Sequence, residues 1–442
     1  MKAWVWLLVP VSLLTFLACT SSGGEGVADP ADAADDGSTA AVLPEAGSFD
    51  ASDAMPSDAG LPEAPQVNCA RAACYLSVSG NAAHHLCGVL ADGTVRCWGR
   101  DSMEPSVTDD DGGVVLGDGA LGRGRAVSAV EGATPAPVVG LSAVTQISVG
   151  PNLGTCARTS DGSVYCWGRN DHGQLGRPPS ERSLSVPTRV DGIPPADEVH
   201  LGFTTGCAIA SADRALHCWG DTYYGFLDGL GVDAGGASTY APQIASNFPA
   251  PVRALAIGTI DEADTVIAHL DGDMLASIGY DALLTTTSTG QPGLPLATPV
   301  LVPGVVRIWP FAHLTTDGVI KQWGAVDYAS LYIPSWSSVV DVKLSRRQTF
   351  SGGALLATGR LFRWGDNSAG AAGVHPDESD HVPYPVEIAN LGKPVASFAT
   401  AIRSTCAVLV DGDVKCWGSN AFGELGRGTV DVDPHPEAAS VR

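Results

Sequence analysis

Past residue 66 the chain is a succession of short runs in which apolar and polar residues alternate with the two-residue period of a β-strand, broken by Gly-rich and Pro-containing turns. One unit returns repeatedly. Cys87-Gly-Val-Leu-Ala-Asp-Gly-Thr-Val-Arg-Cys-Trp-Gly99 recurs as Cys156-Ala-Arg-Thr-Ser-Asp-Gly-Ser-Val-Tyr-Cys-Trp-Gly168 and as Cys406-Ala-Val-Leu-Val-Asp-Gly-Asp-Val-Lys-Cys-Trp-Gly418, and Cys207–Gly220 is the same unit with one extra residue. Three degraded copies lie between them. Ala312–Gly324 keeps Asp317-Gly318 and Trp323-Gly324, Gly353–Gly365 keeps Gly359 and Trp364-Gly365, and around Val266–Gly279 only Asp271-Gly272 survives clearly, which makes seven copies.

Each copy reads as a β-hairpin, because Asp-Gly supplies the positive φ that a tight turn needs and the flanking residues alternate. Val95 and Cys97 then share one face of the sheet, Arg96 and Trp98 the other. Upstream lie further strand-like runs, such as Val144–Val149, Val199–Leu201 and Val339–Leu344. Downstream come Gly173-Gln-Leu-Gly176 and Gly423-Glu-Leu-Gly426, then the Pro-bearing segments Val186–Val190 and Tyr384–Ile388. Four short strands per unit of about 50 residues is the content of one propeller blade. A lone blade cannot bury its faces, so the pattern predicts an all-β, seven-bladed β-propeller of four-stranded antiparallel blades over residues 67–442.

The cysteines sharpen this picture. Cys87 with Cys97, Cys156 with Cys166, Cys207 with Cys218 and Cys406 with Cys416 each occupy the two arms of one hairpin. In the other three copies both positions are lost together: to Ala312 and Gln322, to Gly353 and Arg363, and to Val266 with Ala276 or Ser277. Independent core thiols would be lost singly, so the pattern predicts covalent pairs, each contributing ~2 to 3 kcal/mol outside the cell. Cys69 and Cys74 remain and are paired by elimination. Zinc is disfavoured, because the Cys-x4-Cys and Cys-x9-Cys spacings are not paired Cys-x2-Cys knuckles.

The N-terminus sets the compartment. Lys2 precedes an apolar run from Ala3 to Phe16 that contains Pro10 and is shorter than the ~20 residues of a membrane-spanning helix. Residues 1–18 read as a signal peptide. Ala18-Cys19 followed by Thr20, Ser21 and Ser22 resembles the lipobox of bacterial lipoproteins, which implies lipidation of Cys19 and outer-membrane or cell-surface sorting. Residues 19–66 then form an acidic, disordered tether, rich in Ala, Asp, Ser, Gly and Pro. Ten acidic residues and no Lys or Arg lie between Thr20 and Gln66, a net −10. Removing that and the +1 of Lys2 from the whole-chain −23 leaves −14 for residues 67–442, which argues against a nucleic-acid partner.

Cys-Ala, Asp-Gly, Val, Cys-Trp-Gly, Asn and Gly-Gln-Leu-Gly together resemble the repeat of the regulator of chromosome condensation family, in its cysteine-bearing extracellular form. The likeness is close in residues 156–176 and 406–426, partial in 87–99 and 207–220, and faint in the rest. It implies a ring closed by strands from both chain ends, with residues 67–80 and 429–442 as the candidates. The founding activity of that family, nucleotide exchange on a nuclear GTPase, has no counterpart for a secreted bacterial chain. The precedent that fits is that of secreted members, which bind another protein through the propeller face.

No Gly-x-Ser-x-Gly, His-Glu-x-x-His, phosphate loop or dinucleotide fingerprint is present in the sequence. His375–His381 groups two imidazoles with three carboxylates, and Asp109-Asp110-Asp111 followed by glycines could offer oxygens to Ca²⁺. Both lack ligand spacing and read as solvated loops. The repeated tryptophans, fixed at one place in six of the seven hairpins, argue for packing between blades rather than a ligand platform. Arg346-Arg347 reads as an exposed strand edge. Loop length varies most in 101–140 and 221–245, so Asp109, Asp110, Asp111, Tyr223 and Tyr224 are the candidate contact residues. The expectation is a monomeric, non-catalytic surface lipoprotein with no cofactor or metal, touching the membrane through its lipid alone and binding a protein or glycan. A structural envelope role, or a polysaccharide lyase or glycosidase, are the alternatives.

Overall fold

The computed structural model describes residues 62–69, 73–81, 83–103, 117–220, 240–246, 248–260, 263–279, 300–318, 320–322, 338–345 and 351–442. The predicted leader, Cys19, most of the tether, Asp109, Asp110, Asp111, Tyr223, Tyr224, Trp323 and Arg346-Arg347 lie outside these residues.

Seven antiparallel sheets follow one another along the chain and make a seven-bladed propeller. Blade 1 holds β1 (Tyr75–Ser79), β2 (His85–Leu90), β3 (Val95–Gly99) and β4 (Ala136–Pro137). Blade 2 holds β5 (Val144–Val149), β6 (Gly154–Thr159), β7 (Val164–Arg169) and β8 (Ser183–Arg189). Blade 3 holds β9 (Ala196–Leu201), β10 (Thr205–Ala210), β11 (Leu216–Gly220) and β12 (Gln243–Ile244). Blade 4 holds β13 (Val252–Ile260), β14 (Ala263–Leu270), β15 (Met274–Gly279) and β16 (Val300–Leu301). Blade 5 shows β17 (Val305–Trp309), β18 (Ala312–Thr315) and β19 (Ile320–Gln322) among the described residues. Blade 6 holds β20 (Val339–Ser345), β21 (Ser351–Leu356), β22 (Leu361–Asp366) and β23 (His381–Glu387), and blade 7 holds β24 (Val395–Thr400), β25 (Ser404–Leu409), β26 (Val414–Gly418) and β27 (His435–Ser440). The described helix is one four-residue turn, α1 (Ala129–Gly132).

The first strand of every blade lines a central channel of 260 Å³. Polar side chains on these strands clasp the next blade. Gln146 donates to Val199 O and accepts from Val199 N, both at 3.0 Å, and Ser148 Oγ accepts from Leu201 N at 3.0 Å.

Cys87, Cys156 and Cys406 stand directly opposite Cys97, Cys166 and Cys416, with Cα atoms 4.1 Å apart, and each pair is joined, as are Cys207–Cys218 and Cys69–Cys74. The hairpin alternation places sulfur and indole on opposite faces. Cys87 and Cys97 pack in one cluster with Trp167 of the next blade, Cys156 and Cys166 with Trp219, and Cys406 and Cys416 with Trp98. Trp98, Trp167, Trp219, Trp364 and Trp417 are all buried, so none offers its ring to a ligand.

Two details differ from the sequence expectation. In blade 4 the residues opposite one another at the cysteine positions are Ile267 and Ser277, one place along from Val266, and Ile278 stands where the tryptophan would be. Without a cysteine or tryptophan to pin it, the register of this copy was not fixed by local pattern. Among the described residues the ring is also not closed by a sheet shared between the chain ends. Blade 1 comes entirely from residues 75–137 and blade 7 from 395–440, and they meet through packing and a parallel bridge between Asn81 and Thr400.

Candidate partner-binding face

Antiparallel order assigns every connection to one of two faces. The Asp-Gly hairpin turns and the links between blades share one, here the turn face. The connections from first to second strand and from third to fourth share the other, the loop face. The described residues flanking 104–116, 221–239 and 280–299 therefore all sit at the loop face.

The turn face is regular. Asp92 Oδ1 accepts from Thr94 N at 2.9 Å and Thr94 Oγ1 at 2.6 Å, and Asp161 Oδ1 from Thr159 Oγ1 at 2.6 Å and Ser163 N at 3.0 Å. These bonds hold both carboxyls below the usual carboxylate range. Gly93 and Gly162 follow with φ of 77° and 80°, the left-handed region where glycine is favoured.

The loop face is built on a buried hub in blades 1, 2, 6 and 7. Asn170, fully buried, donates to Arg177 O, Pro178 O and Glu181 O and accepts from Leu175 N. Asn367 and Asn420 do the same for their own loops. In blade 1 Asp101 takes this place and accepts from Leu121 N at 2.9 Å and Val127 N at 3.2 Å; burial pushes its carboxyl up. The folded loop is then gripped by the next blade. Trp98 Nε1 donates to Glu424 O, Trp167 to Ala120 O, Trp219 to Gln174 O and Trp417 to Ala371 O, at 2.8 to 3.1 Å. Trp98, Trp167 and Trp219 thus each pack on one blade's sulfur pair and hydrogen-bond that same blade's loop, whereas Trp417 packs on the unbridged blade 6, among Leu355, Leu361 and Phe398.

Between blades 3 and 4 a different device serves. Asp264, fully buried, accepts from Phe203 N, Thr204 N, Thr205 N, Thr204 Oγ1 and Thr259 Oγ1, and so ties the first connection of blade 3 to blade 4. Burial pushes this carboxyl up while the donors oppose the shift. Where blade 7 meets blade 1, Phe422 lies edge-on to His84 at 4.5 Å and under the Arg100 guanidinium at 4.4 Å. Arg403 Nε lies 3.5 Å from Asp366 at the neighbouring junction. This rim is mixed in charge and half-exposed.

His375–His381 is part of the loop folded round Asn367, with Asp377 largely exposed. Among the described residues no group of three or more His, Cys, Asp or Glu is arranged to hold a metal ion. The Asn hubs and Asp264 were not singled out in the sequence. The hubs had a signal, an Asn three places after Trp167, Trp364 and Trp417. Asp264 had none, because four of its five donors come from a distant part of the chain, Phe203 to Thr205.

Comparison with known proteins fits this geometry. Models of the regulator of chromosome condensation (RCC1) repeat match residues 161–209, and residues 144–174 and 403–424. The chain carries RCC1 repeats. HERC2 of Homo sapiens, an E3 ubiquitin-protein ligase, is 27% identical over 361 residues, 77% of this chain but only 6% of its own length. Protein pim1 of Schizosaccharomyces pombe is 33% identical over 109 residues, 24% of this chain and 19% of pim1. The fold resembles that of Prp20p from Saccharomyces cerevisiae, with a TM-score of 0.63 and 18% identity over 84% of this chain and 87% of that one; its structure was described together with binding to Gsp1p and histones. Human WBSCR16 follows, with a TM-score of 0.54 and 16% identity over 70% and 85% of the two chains. The RCC1 repeats matched, 144–209 and 403–424, are those in which staple, Asp-Gly turn and Asn hub are all intact.

Proposed function

We propose that this RCC1-like propeller is a secreted bacterial lipoprotein, anchored through Cys19, that binds a protein partner through its loop face and carries out no reaction itself. One observation carries the reading: the residues flanking the long, unequal insertions all lie at a single face, where hubs and indole clips hold the described loops, while the opposite face is a regular ring of hairpin turns. Rigid repeats bearing unequal loops are how such scaffolds present a binding surface. Yeast Prp20, of the same fold, binds Kap60, Gsp1p and histones, which supports a protein rather than a glycan as ligand.

Photo-crosslinking amino acids placed on the producing cells at exposed Arg182 of the loop face and at Asp161 and Asp213 of the turn face test the reading. It expects one discrete protein adduct from position 182 and none from 161 or 213. Adducts from the turn face alone, or a glycan-only adduct, would refute it. Metabolic labelling with palmitate, lost in Cys19→Ala, tests the anchor separately.

A further inference from the structure

At the junctions between blades 1 and 2, 2 and 3, 3 and 4, and 6 and 7 the chain is held in a set way. The residue before the first strand accepts from its own hairpin turn, as Ser160 N to Ala143 O and Ser211 N to Pro195 O, both 2.8 Å. The next residue donates to the previous blade's turn, as Val144 N to Gly93 O and Ala196 N to Gly162 O, both 2.9 Å. At these junctions a covalent link from the preceding blade delivers the segment. Between blade 7 and blade 1 there is no such link, yet the same bonds form: Ala91 N to Cys74 O at 2.9 Å and Tyr75 N to Gly412 O at 3.0 Å.

What delivers the segment here comes from the N-terminal side. Cys74 is buried, seated against Gly412, and bonded to Cys69. Asn68 N donates to Val410 O at 2.6 Å. Val67 packs on the cluster between blades 1 and 7, and Ala64 on the cluster between blades 6 and 7. Further round, Arg307 of blade 5 donates through Nη2 to Pro62 O and through Nη1 to Val340 O of blade 6, both at 2.7 Å. Residues 62–68 thus run along the turn face past the first strands of four blades.

We infer that the strap of residues 62–69, bonded through Cys69 to Cys74, is a latch that closes the ring in place of a shared sheet, with the Cys69–Cys74 bond holding the junction and Arg307 holding the far end of the strap. The hairpin bridges stiffen single blades. This fifth bridge acts between two blades, because it fixes the one residue at the junction that no preceding strand delivers. It is a property of the ring alone and holds whatever the loop face binds.

Hydrogen–deuterium exchange of the full secreted chain tests it, comparing wild type with Cys69→Ser and Arg307→Gln. Cys69→Ser leaves the buried Cys74 side chain in place, so no cavity opens against Gly412. The latch predicts at least tenfold faster exchange at the Tyr75 and Ala91 amides in Cys69→Ser, with the matching Ala196 and Ser211 amides between blades 2 and 3 unchanged. Arg307→Gln is expected to speed exchange at Asn68 by a similar factor. Unchanged exchange at Tyr75 and Ala91, or an equal rise at Ala196 and Ser211, overturns the latch, and an unchanged Asn68 in Arg307→Gln overturns the strap's anchor.

Discussion

The indole clips differ in one way that can be measured. Trp219 and Trp417 are both fully buried and both donate to a loop carbonyl of the preceding blade, at 2.8 and 2.9 Å. The Ala371 carbonyl that Trp417 serves has a second donor, Thr405 Oγ1 at 3.3 Å, whereas Gln174 O has Trp219 alone among the described residues. Replacing either indole with phenylalanine removes about a third of the side chain, costing ~1 to 2 kcal/mol as lost transfer energy and residual cavity. In Trp219→Phe the Gln174 carbonyl is also orphaned in a dry interface, which adds ~1 to 2 kcal/mol. In Trp417→Phe the carbonyl keeps Thr405, so that addition is largely absent. Trp219→Phe is therefore expected to cost about 3 kcal/mol and Trp417→Phe about 1.5 kcal/mol. Equilibrium guanidinium denaturation followed by far-ultraviolet circular dichroism measures both. Adding Thr405→Val to Trp417→Phe removes the spare donor and is expected to bring the cost up to that of Trp219→Phe. Equal costs for the two single variants, or no effect of Thr405→Val in the Trp417→Phe background, would show that packing alone sets the clip's strength.

Acid is expected to loosen the ring. Burial, with a smaller contribution from His84, holds His85 down at about 3, and burial holds His313 down at about 4. A histidine kept neutral in the fold contributes full stability above the unfolded value near 6.5 and loses it as pH falls from there toward the folded value, so His85 forfeits ~2 kcal/mol by pH 5. His85→Gln, which can still reach Thr155, should show a denaturation midpoint that falls correspondingly less between pH 7 and pH 5. Asp264→Asn substitutes an amide for a carboxylate with five donors around it, and a loss of ~3 kcal/mol is expected in the same assay. In blade 6, Gly353 faces Arg363 where the four bridged hairpins carry cysteines; the arginine is buried, its Nε and Nη1 find no acceptor among the described residues, and burial pulls it down to about 10. Gly353→Cys with Arg363→Cys should form a bridge worth ~3 kcal/mol, offset by ~1 to 2 kcal/mol for displacing Phe398, whose ring lies 2.7 Å from a Cβ at 353. Mass spectrometry without reductant checks the bridge, and a midpoint below that of wild type counts against the estimate.

The hairpins were legible because their chemistry is local. Asp-Gly fixes the turn, Cys fixes the register, and alternation then fixes which face Trp98 and Cys97 take. Where those markers were lost, as at Ile267 and Ser277, position slipped by one residue. The hubs were half-legible, since an Asn at a fixed offset from Trp-Gly is visible but its loop partners are not. Ring closure was not legible at all. Residues 62–65, Pro-Glu-Ala-Pro, continue the Pro- and Ala-rich composition of the segment before them, and what seats the strap is Arg307, 245 residues away from Pro62. Asp264 is hidden for the same reason, all of its donors but Thr259 lying 59 to 61 residues upstream in Phe203, Thr204 and Thr205.

The bridged blades are not scattered. Blades 7, 1, 2 and 3 carry a hairpin disulfide and blades 4, 5 and 6 do not, so the four form one continuous arc that spans the junction where the chain ends meet. That is the junction with no peptide link, where a ring of repeats opens first unless something opposes it. A bridge across a short loop limits the unfolded chain by ~2 to 3 kcal/mol, and it does so for each blade beside the gap. The arc without bridges relies on covalent continuity and, where it meets blade 3, on Asp264. Local opening should therefore begin in blades 4 to 6 and not at the chain ends. Native-state exchange in low guanidinium is expected to release the amides of β14, β18 and β21 before those of β2, β6 and β25. If β2 and β25 exchange first, the bridges are not what holds the gap shut.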